Sequence, residues 1–330
     1  MDSHILSLYR FCTQCPRKCE IDRTSSTGFC RETSDLRIAF AGLHFGEEPL
    51  ITVNGGSGTI FFTGCTLRCA FCQNYQISQN GLGKIVSSKE FADICLKLEK
   101  AGAENINLVT GSHHIPLIAE YIKEAKESGV TIPFCWNSSA YERVEMLELL
   151  KGLVTIWLPD LKTLNPQISS KLFAAQNYPE VASQAIKWMI ENNPLKIEEK
   201  DSKEKMTSGV IVRHLFMPGR FEDTATVLEW LKDNADPDAC ISLMNQYTPV
   251  PFAESKEALE KRKMALSVIE NRLVNEQEDQ DIQDLIDAFN FNYLFYQELS
   301  SDTSWLPDFT KPQPFSNKLA KPIWHCSFVE

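Results

Sequence analysis

Nowhere does the chain approach the ~20 consecutive apolar residues of a membrane-spanning helix. Its N-terminus lacks the apolar stretch and small-residue cleavage site of a secretory signal. Basic residues are in deficit, with 33 Lys and Arg against 44 Asp and Glu, for a net charge of −11. An acidic chain repels phosphate backbones and anionic bilayers, so neither nucleic acid nor a membrane is expected as a partner. The 11 cysteines are odd in number and clustered. That argues against a secreted disulfide framework and predicts reduced thiols in the cytoplasm. No internal repeat is visible beyond an alternation of strand and helix patterns. What remains is a globular composition, 43% hydrophobic and 23% charged over 330 residues. It is long enough for one large α/β domain, or two ordinary ones, with a sizeable core.

The stretch that stands out is Cys65-Thr-Leu-Arg-Cys69-Ala-Phe-Cys72. A short apolar run, Thr59–Thr63, leads through Gly64 into three thiols at C-x3-C-x2-C spacing. Thiolates select iron–sulfur clusters, zinc or copper(I). Three ligands are one short of the four that close a tetrahedral site or an ordinary cluster. The shortfall points to an open position where a small molecule coordinates. A three-quarter zinc site is the alternative from spacing alone.

Six short runs follow the pattern of buried parallel strands, apolar on both faces. They are Thr59–Thr63, Asn105–Thr110, Thr131–Asn137, Val154–Leu158, Gly209–Phe216 and Ala239–Met244. Helical patterns separate them. The first opens on a capping box, Ser87-Ser-Lys-Glu90, and stops at Gly102. Others are carried by Leu117–Ala125, Val144–Leu150, Ala185–Ile190 and Val227–Leu231. The alternation implies an α/β fold, an incomplete (β/α)6 TIM-like barrel with right-handed crossovers and its site at the C-terminal strand ends. Residues 1–50 form a Cys-rich extension, 51–253 the core, and 254–330 a helical and irregular extension. Asn192–Ser208 is charged and reads as a surface loop or mobile insertion. In 254–290, Leu259, Leu266, Ile269 and Leu273 are candidate anchors. Phe40–Pro49 reads as a glycine-rich loop carrying Glu47 and Glu48, either a surface turn or part of a site.

Every expected strand end is polar: Gly111-Ser112-His113-His114, Asn137-Ser138-Ser139, Asp160-Leu161-Lys162, Arg213-His214, and Asn245-Gln246-Tyr247. Singly, each has an ordinary explanation as a cap, a solvated pair or a loop residue. Together they mark one face as a site. A second cysteine group, Cys12, Cys15, Cys19 and Cys30, has C-x2-C-x3-C-x10-C spacing. Four thiols can close a tetrahedral site, and zinc or a second iron–sulfur cluster both fit; four free thiols are the alternative.

The cysteine motif, with Phe71 in its aromatic place, resembles the signature of the radical S-adenosylmethionine superfamily. Gly58–Tyr75, Asn105–Thr110, Trp157–Lys162, Val212–Leu215 with Met217–Gly219, and Met244–Tyr247 resemble its pyruvate formate-lyase activating enzyme branch, and most closely the PflX-type proteins within it. The resemblance implies a [4Fe–4S] cluster on Cys65, Cys69 and Cys72. S-adenosylmethionine would bind the fourth iron and, on reduction, yield a 5′-deoxyadenosyl radical that abstracts a hydrogen atom. It further implies Phe71 beside the adenine, Asn137 beside the ribose, and Asp160 and Lys162 at the methionine end. Arg213, in the Val212–Leu215 stretch, is counted with the cofactor-binding residues. Activating enzymes show Gly-Gly-Glu-Pro where this chain reads Gly111-Ser112-His113-His114, which leaves main-chain carbonyls at Gly111 and Ser112 to meet the cofactor ammonium. The implied partners are a reductant such as flavodoxin or ferredoxin and an unidentified protein or small-molecule substrate, with activation of a glycyl-radical enzyme among the possibilities. The competing reading is a non-catalytic iron–sulfur or zinc scaffold.

Overall fold

The computed structural model describes residues 3–200, 202–297, 299, 303, 305–316 and 318–327. Eleven strands are found among them: β1 (Arg37–His44), β2 (Ser57–Phe62), β3 (Lys84–Ile85), β4 (Ile106–Val109), β5 (Phe134–Ser138), β6 (Ile156–Pro159), β7 (Lys196–Lys200), β8 (Lys203–Leu215), β9 (Cys240–Met244), β10 (Leu294–Gln297) and β11 (Ala320–His325). They form one sheet in the order β10-β9-β8-β6-β5-β4-β2-β1-β11, with β3 on β1 and β7 on β8. From β2 to β10 along that path all pairings are parallel. β1 joins β2, and β11 joins β1, antiparallel. The path has two ends, β10 and β11, so the barrel is open.

The six expected core strands correspond to β2, β4, β5, β6, β8 and β9. Their residues are buried on both faces, by helices outside and by barrel side chains inside, which is why they lack alternation. The expected helices are present as Ser88–Lys100, Ile115–Glu127, Val144–Leu147 with a 3-10 turn at Glu148–Leu150, Tyr178–Asn192 and Phe221–Asn234. The capping box forms as read: Glu90 N donates to Ser87 Oγ at 3.2 Å, and Ser87 N donates to Glu90 Oε2 at 2.7 Å. A further helix, Pro166–Phe173, is capped by the Asn165 side chain and packs under the cysteine loop.

Three expectations are corrected. Phe40–His44 is not loop but the second half of β1. Gly42, which suggested a turn, sits where β11 closes in: a Cβ there would stand 2.6 Å from the Lys321 carbonyl oxygen. The charged stretch 196–208 is not a loop but a hairpin of β7 with the first half of β8. It projects from the barrel and needs no continuous apolar face; Lys205 ties it down to Glu104 at 2.7 Å. Asp201 lies outside the described residues. The C-terminal segment is not wholly irregular, because β11 pairs with β1 as an edge strand that tolerates Pro322; residues 301, 302, 304, 317 and 328–330 of that segment lie outside the described residues. The stretch 254–290 is helical, as Lys256–Leu266 and Glu276–Phe289, with Leu266 and Ile269 buried but Leu259 exposed. No helix among the described residues is long and apolar enough to cross a membrane.

Candidate active site

β2 delivers the chain to the cysteine loop through Gly64, whose φ is +84°. A Cβ on Gly64 would fall 2.3 Å from Glu32 Cγ and 3.0 Å from His113 Nε2, so both conformation and space demand glycine. The loop is pinned from outside. Ala70 N donates to Leu172 O at 2.8 Å, and Gln79 Nε2 to Cys69 O at 2.9 Å. Cys72 N donates to Cys69 O at 3.1 Å, and Leu67 N to Cys65 Sγ at 3.4 Å. All three cysteines are free thiols. Burial pushes the Cys69 thiol well above its ordinary pKa; the Lys162 ammonium works against that, whereas Cys65 and Cys72 add to it. The three sulfurs and Lys162 therefore share one electrostatic neighbourhood. Among the described residues, no three His, Cys, Asp or Glu side chains meet as ligands of one ion.

The C-terminal strand ends open onto a cavity of about 890 Å³. Val109 of β4, Asn137 of β5, Asp160 beyond β6, Arg213 of β8, Met244 of β9 and Gln297 of β10 all reach it. Cys69, Phe71 and Cys72 form the wall on the cysteine side. Lys162 Nζ donates to Asp160 Oδ2 at 2.5 Å. Tyr178 fixes the pair: its hydroxyl donates to Asp160 O at 2.7 Å and accepts from Lys162 N at 3.0 Å. Burial opposes the charge of Lys162, but Asp160 and Cys69 outweigh it and hold the ammonium protonated above the ordinary lysine range. Phe71 lies between Phe173 and Tyr247, each 6.0 Å away between ring centroids, so its ring orientation is set.

Arg213 is engaged by the loop after β1. Its Nε donates to Glu48 Oε1 at 2.8 Å, and its Nη2 donates to Glu47 and Glu48. Burial alone raises the pKa of Glu48, but the guanidinium more than offsets this and keeps the carboxylate ionised. His44 stands 3.4 Å from Glu47. Glu47 and Glu48, which sequence left open between a surface turn and a site, thus belong to the cavity wall with Arg213.

Two expected cofactor residues lie elsewhere. Gly111 and Ser112 are behind the wall rather than on it. A Cβ on Gly111 would meet Trp136 and Ile118 at 2.7 Å. Ser112 Oγ donates to Glu142 Oε1 at 2.7 Å, and the same carboxylate accepts from Trp136 Nε1 at 2.8 Å and Ser138 Oγ at 3.0 Å. His113 and His114 are buried under the N-terminal segment: His113 Nε2 is 2.7 Å from Thr63 O, and His114 Nδ1 is 2.7 Å from the Tyr9 hydroxyl. Sequence reading missed the roof. Trp305, Pro307, Phe315 and Leu319 of the C-terminal segment line the cavity on one side. Gln76 holds that segment in place, its Oε1 accepting from Phe309 N at 2.7 Å and its Nε2 donating to Asp308 at 3.1 Å. The signal available was local only, the aromatic Trp305, Phe309 and Phe315 in a proline-rich stretch.

Residues 59–231 match the family model of the radical SAM superfamily. An uncharacterized protein of Methanocaldococcus jannaschii is 32% identical over 251 residues, covering 74% of this chain and 68% of that protein. The pyruvate formate-lyase-activating enzyme of Listeria monocytogenes is 30% identical over 143 residues, 40% of this chain and 58% of the enzyme. Among solved structures, Streptococcus suis SuiB bound to precursor peptide SuiA aligns with a TM-score of 0.48 at 13% identity, over 71% of this chain and 46% of SuiB. The match thus spans less than two thirds of the Listeria and Streptococcus proteins.

Proposed function

The chain belongs to the radical S-adenosylmethionine superfamily, and from that membership we propose that it is an enzyme that abstracts a hydrogen atom from a small substrate held in the roofed cavity. The observation that carries the reading is the convergence of Cys69 and Cys72 with Lys162 and Asp160 at the cavity wall, with Cys65 within electrostatic reach of Cys69 behind them. The donor set fits a [4Fe–4S] cluster. Three free thiols in one region can each ligate one iron as thiolates, leaving one iron of a cubane without a protein ligand. Cys65, Cys69 and Cys72 would hold the cluster, and Cys69 and Cys72 line the cavity in which the cofactor would bind. Bound there, the cluster and S-adenosylmethionine supply one-electron cleavage of the sulfonium, ending in methionine and 5′-deoxyadenosine.

The chain's own residues orient and screen. Lys162 offers a positive charge to the cofactor carboxylate, and Asp160 keeps that charge fixed in place. Phe71 presents a ring to the adenine and Asn137 an amide to the ribose. Cys69 is buried and Cys72 partly buried, and the loop that carries them is held by Gln79 Nε2 on Cys69 O and by Ser78 Oγ, 3.2 Å from Cys72 Sγ. Arg213, already bonded to Glu47 and Glu48, positions the acidic loop over the site rather than binding a second anion.

The C-terminal segment favours a small substrate, because Trp305, Phe315 and Leu319 line the cavity and take up space that a polypeptide loop would need. Activation of a glycyl-radical enzyme is the second reading, favoured by the likeness to the Listeria activating enzyme; it requires that segment to swing away. The test is electron paramagnetic resonance of the anaerobically reconstituted, reduced protein. Adding S-adenosylmethionine should change the signal of the cluster on Cys65, Cys69 and Cys72. The same spectrum with and without cofactor would mean that the fourth iron does not bind it.

A further inference from the structure

We propose that Cys12, Cys15, Cys19 and Cys30 hold a second, fully ligated iron–sulfur cluster, and that this cluster feeds electrons singly to the site at Cys65, Cys69 and Cys72. The existence of the cluster stands alone; its role as a relay rests on the radical reading above.

The N-terminal segment is folded as a ligand loop. Cys12 N donates to Ile21 O and Glu20 N to Cys12 O, each at 3.0 Å, closing residues 12–21 on themselves. Lys18 N donates to Cys15 O at 3.0 Å, and Lys18 and Glu20 take positive φ to make the turns. Gly28 then brings the second arm back. A Cβ on Gly28 would stand 3.4 Å from Cys19 Sγ and 3.6 Å from Cys30 Sγ, so glycine leaves open the space between these two sulfurs. Phe29 N donates to Cys19 Sγ at 3.4 Å, an amide-to-sulfur bond of the kind that tunes a cluster. Cys15 lies within electrostatic reach of the other three.

Arg23, 1% exposed, calls for an anionic occupant. Its guanidinium donates to the carbonyls of His113 and Thr33 at 2.7 Å and of Glu32 at 3.0 Å, and its Nη1 stands 3.8 Å from Cys12 Sγ. A buried cation is costly unless negative charge faces it. Neutral thiols supply none, whereas four thiolates on a metal centre, cluster or zinc, form an anion. The position of the site favours the cluster, because it packs against the cysteine loop of the first site, where a redox centre can pass on electrons and zinc cannot. The cluster's four irons are all ligated by protein, so it has no position for a substrate and is suited to electron transfer.

The second site is built onto the first. The Cys30 carbonyl oxygen would be 2.9 Å from a Cβ on Gly64, the residue bonded to Cys65. Arg17 Nε donates to Thr66 O at 2.8 Å and its Nη2 to Phe173 O at 2.7 Å. Arg31 Nη1 donates to Gln79 O at 2.9 Å, and Gln79 Nε2 to Cys69 O at 2.9 Å. One packed layer therefore separates the two thiol groups. Cys19, the half-exposed member of the four, is the edge at which a donor arrives. One electron leaves a reduced carrier protein of the ferredoxin or flavodoxin class, reduces the N-terminal cluster by one, and passes to the main cluster. No bond forms or breaks at the N-terminal site.

The test uses full-length protein purified and reconstituted without oxygen. Iron and zinc analysis of the wild type should give about eight irons and no stoichiometric zinc, the content of two cubanes. Cys12→Ser/Cys15→Ser should keep about four irons whose resonance still responds to S-adenosylmethionine, which also reports that the barrel is folded. The triple variant Cys65→Ala/Cys69→Ala/Cys72→Ala should keep the other four, with a signal blind to the cofactor. A wild type with about four irons, with or without one zinc, overturns the cluster, as does a triple variant free of iron. For the relay, Cys12→Ser/Cys15→Ser should cleave cofactor at the wild-type rate with dithionite and at least ~10-fold more slowly with reduced flavodoxin. Equal slowing with both donors, or none with either, overturns the relay. Cys19→Ser serves as the second variant if the double one does not fold. Failure of the radical reading looks different: about eight irons in place, yet no cleavage with any donor.

Discussion

At the scale of single residues, the site depends on charges held in place by buried partners. Lys162 is the clearest case. Replacing it with Ala removes the cation but leaves the thiol loop anchored through Leu172 and Gln79. The variant should keep its iron and bind S-adenosylmethionine about 1–3 kcal/mol more weakly, the scale of a hydrogen bond to a charged group. Calorimetric titration checks this, and unchanged affinity would assign Lys162 a purely structural role. His214 shows the opposite use of burial. Burial lowers its pKa to about 4, with the Lys162 charge adding to the shift and the Leu161 carbonyl, 2.7 Å from Nδ1, working against it; Nε2 lies 2.9 Å from Thr224 Oγ1. The unfolded chain binds the proton near pH ~6.5, so stability from this group is present above that value and lost as pH falls toward 4. Between pH 7 and 5 the loss is about 2 kcal/mol. Urea midpoints of the wild type should fall more over this range than those of His214→Gln; parallel slopes would show that His214 does not carry the effect. Residues of this kind were legible unevenly. Asp160, Lys162 and Asn137 stood out as polar groups ending apolar runs. Ser112 fitted the same pattern, yet it bonds to Glu142, a partner 30 residues away that no local spacing reveals.

At the scale of elements, the strands apolar on both faces were readable because burial from two sides leaves no choice of residue. β1, β10 and β11 were not. β1 contains Gly42, which imitates a turn and is required by the approach of β11. β11 contains Pro322 and lies at an edge, where neither alternation nor continuous hydrophobicity is imposed. The roof follows from β11, since the chain that reaches it must pass over the barrel mouth. Phe315 packs against Phe40, Phe61 and Phe309, at 5.8, 5.6 and 5.6 Å between ring centroids. Phe315→Ala combined with Trp305→Ala should loosen this cover while leaving the sheet intact. The expected result, in metal-free protein, is faster alkylation of Cys69 and Cys72 with little change in the far-ultraviolet circular dichroism. An unchanged alkylation rate would show that the roof does not control access.

At the scale of the whole molecule, an open barrel is stitched beside its cysteine loop by a cysteine-bearing N-terminal segment and at its cavity by a C-terminal one. The extensions recognised in sequence at residues 1–50 and 254–330 both supply strands to the same sheet, β1 from the first and β10 and β11 from the second. Composition did not reveal where these segments dock, because docking depends on distant contacts such as Arg23 with His113 and Gln76 with Asp308. The net charge of −11 works against binding to the phosphate backbone of nucleic acid. Everything proposed for the cavity depends on its thiols supporting radical chemistry. The measurement that tests this directly is anaerobic reconstitution with iron and sulfide, reduction with dithionite, and mass spectrometry after adding S-adenosylmethionine. The wild type should release 5′-deoxyadenosine and methionine in equal amounts, and Cys65→Ala, Cys69→Ala and Cys72→Ala should release neither. An intact, reduced cluster on these cysteines that leaves the cofactor uncleaved would contradict the account.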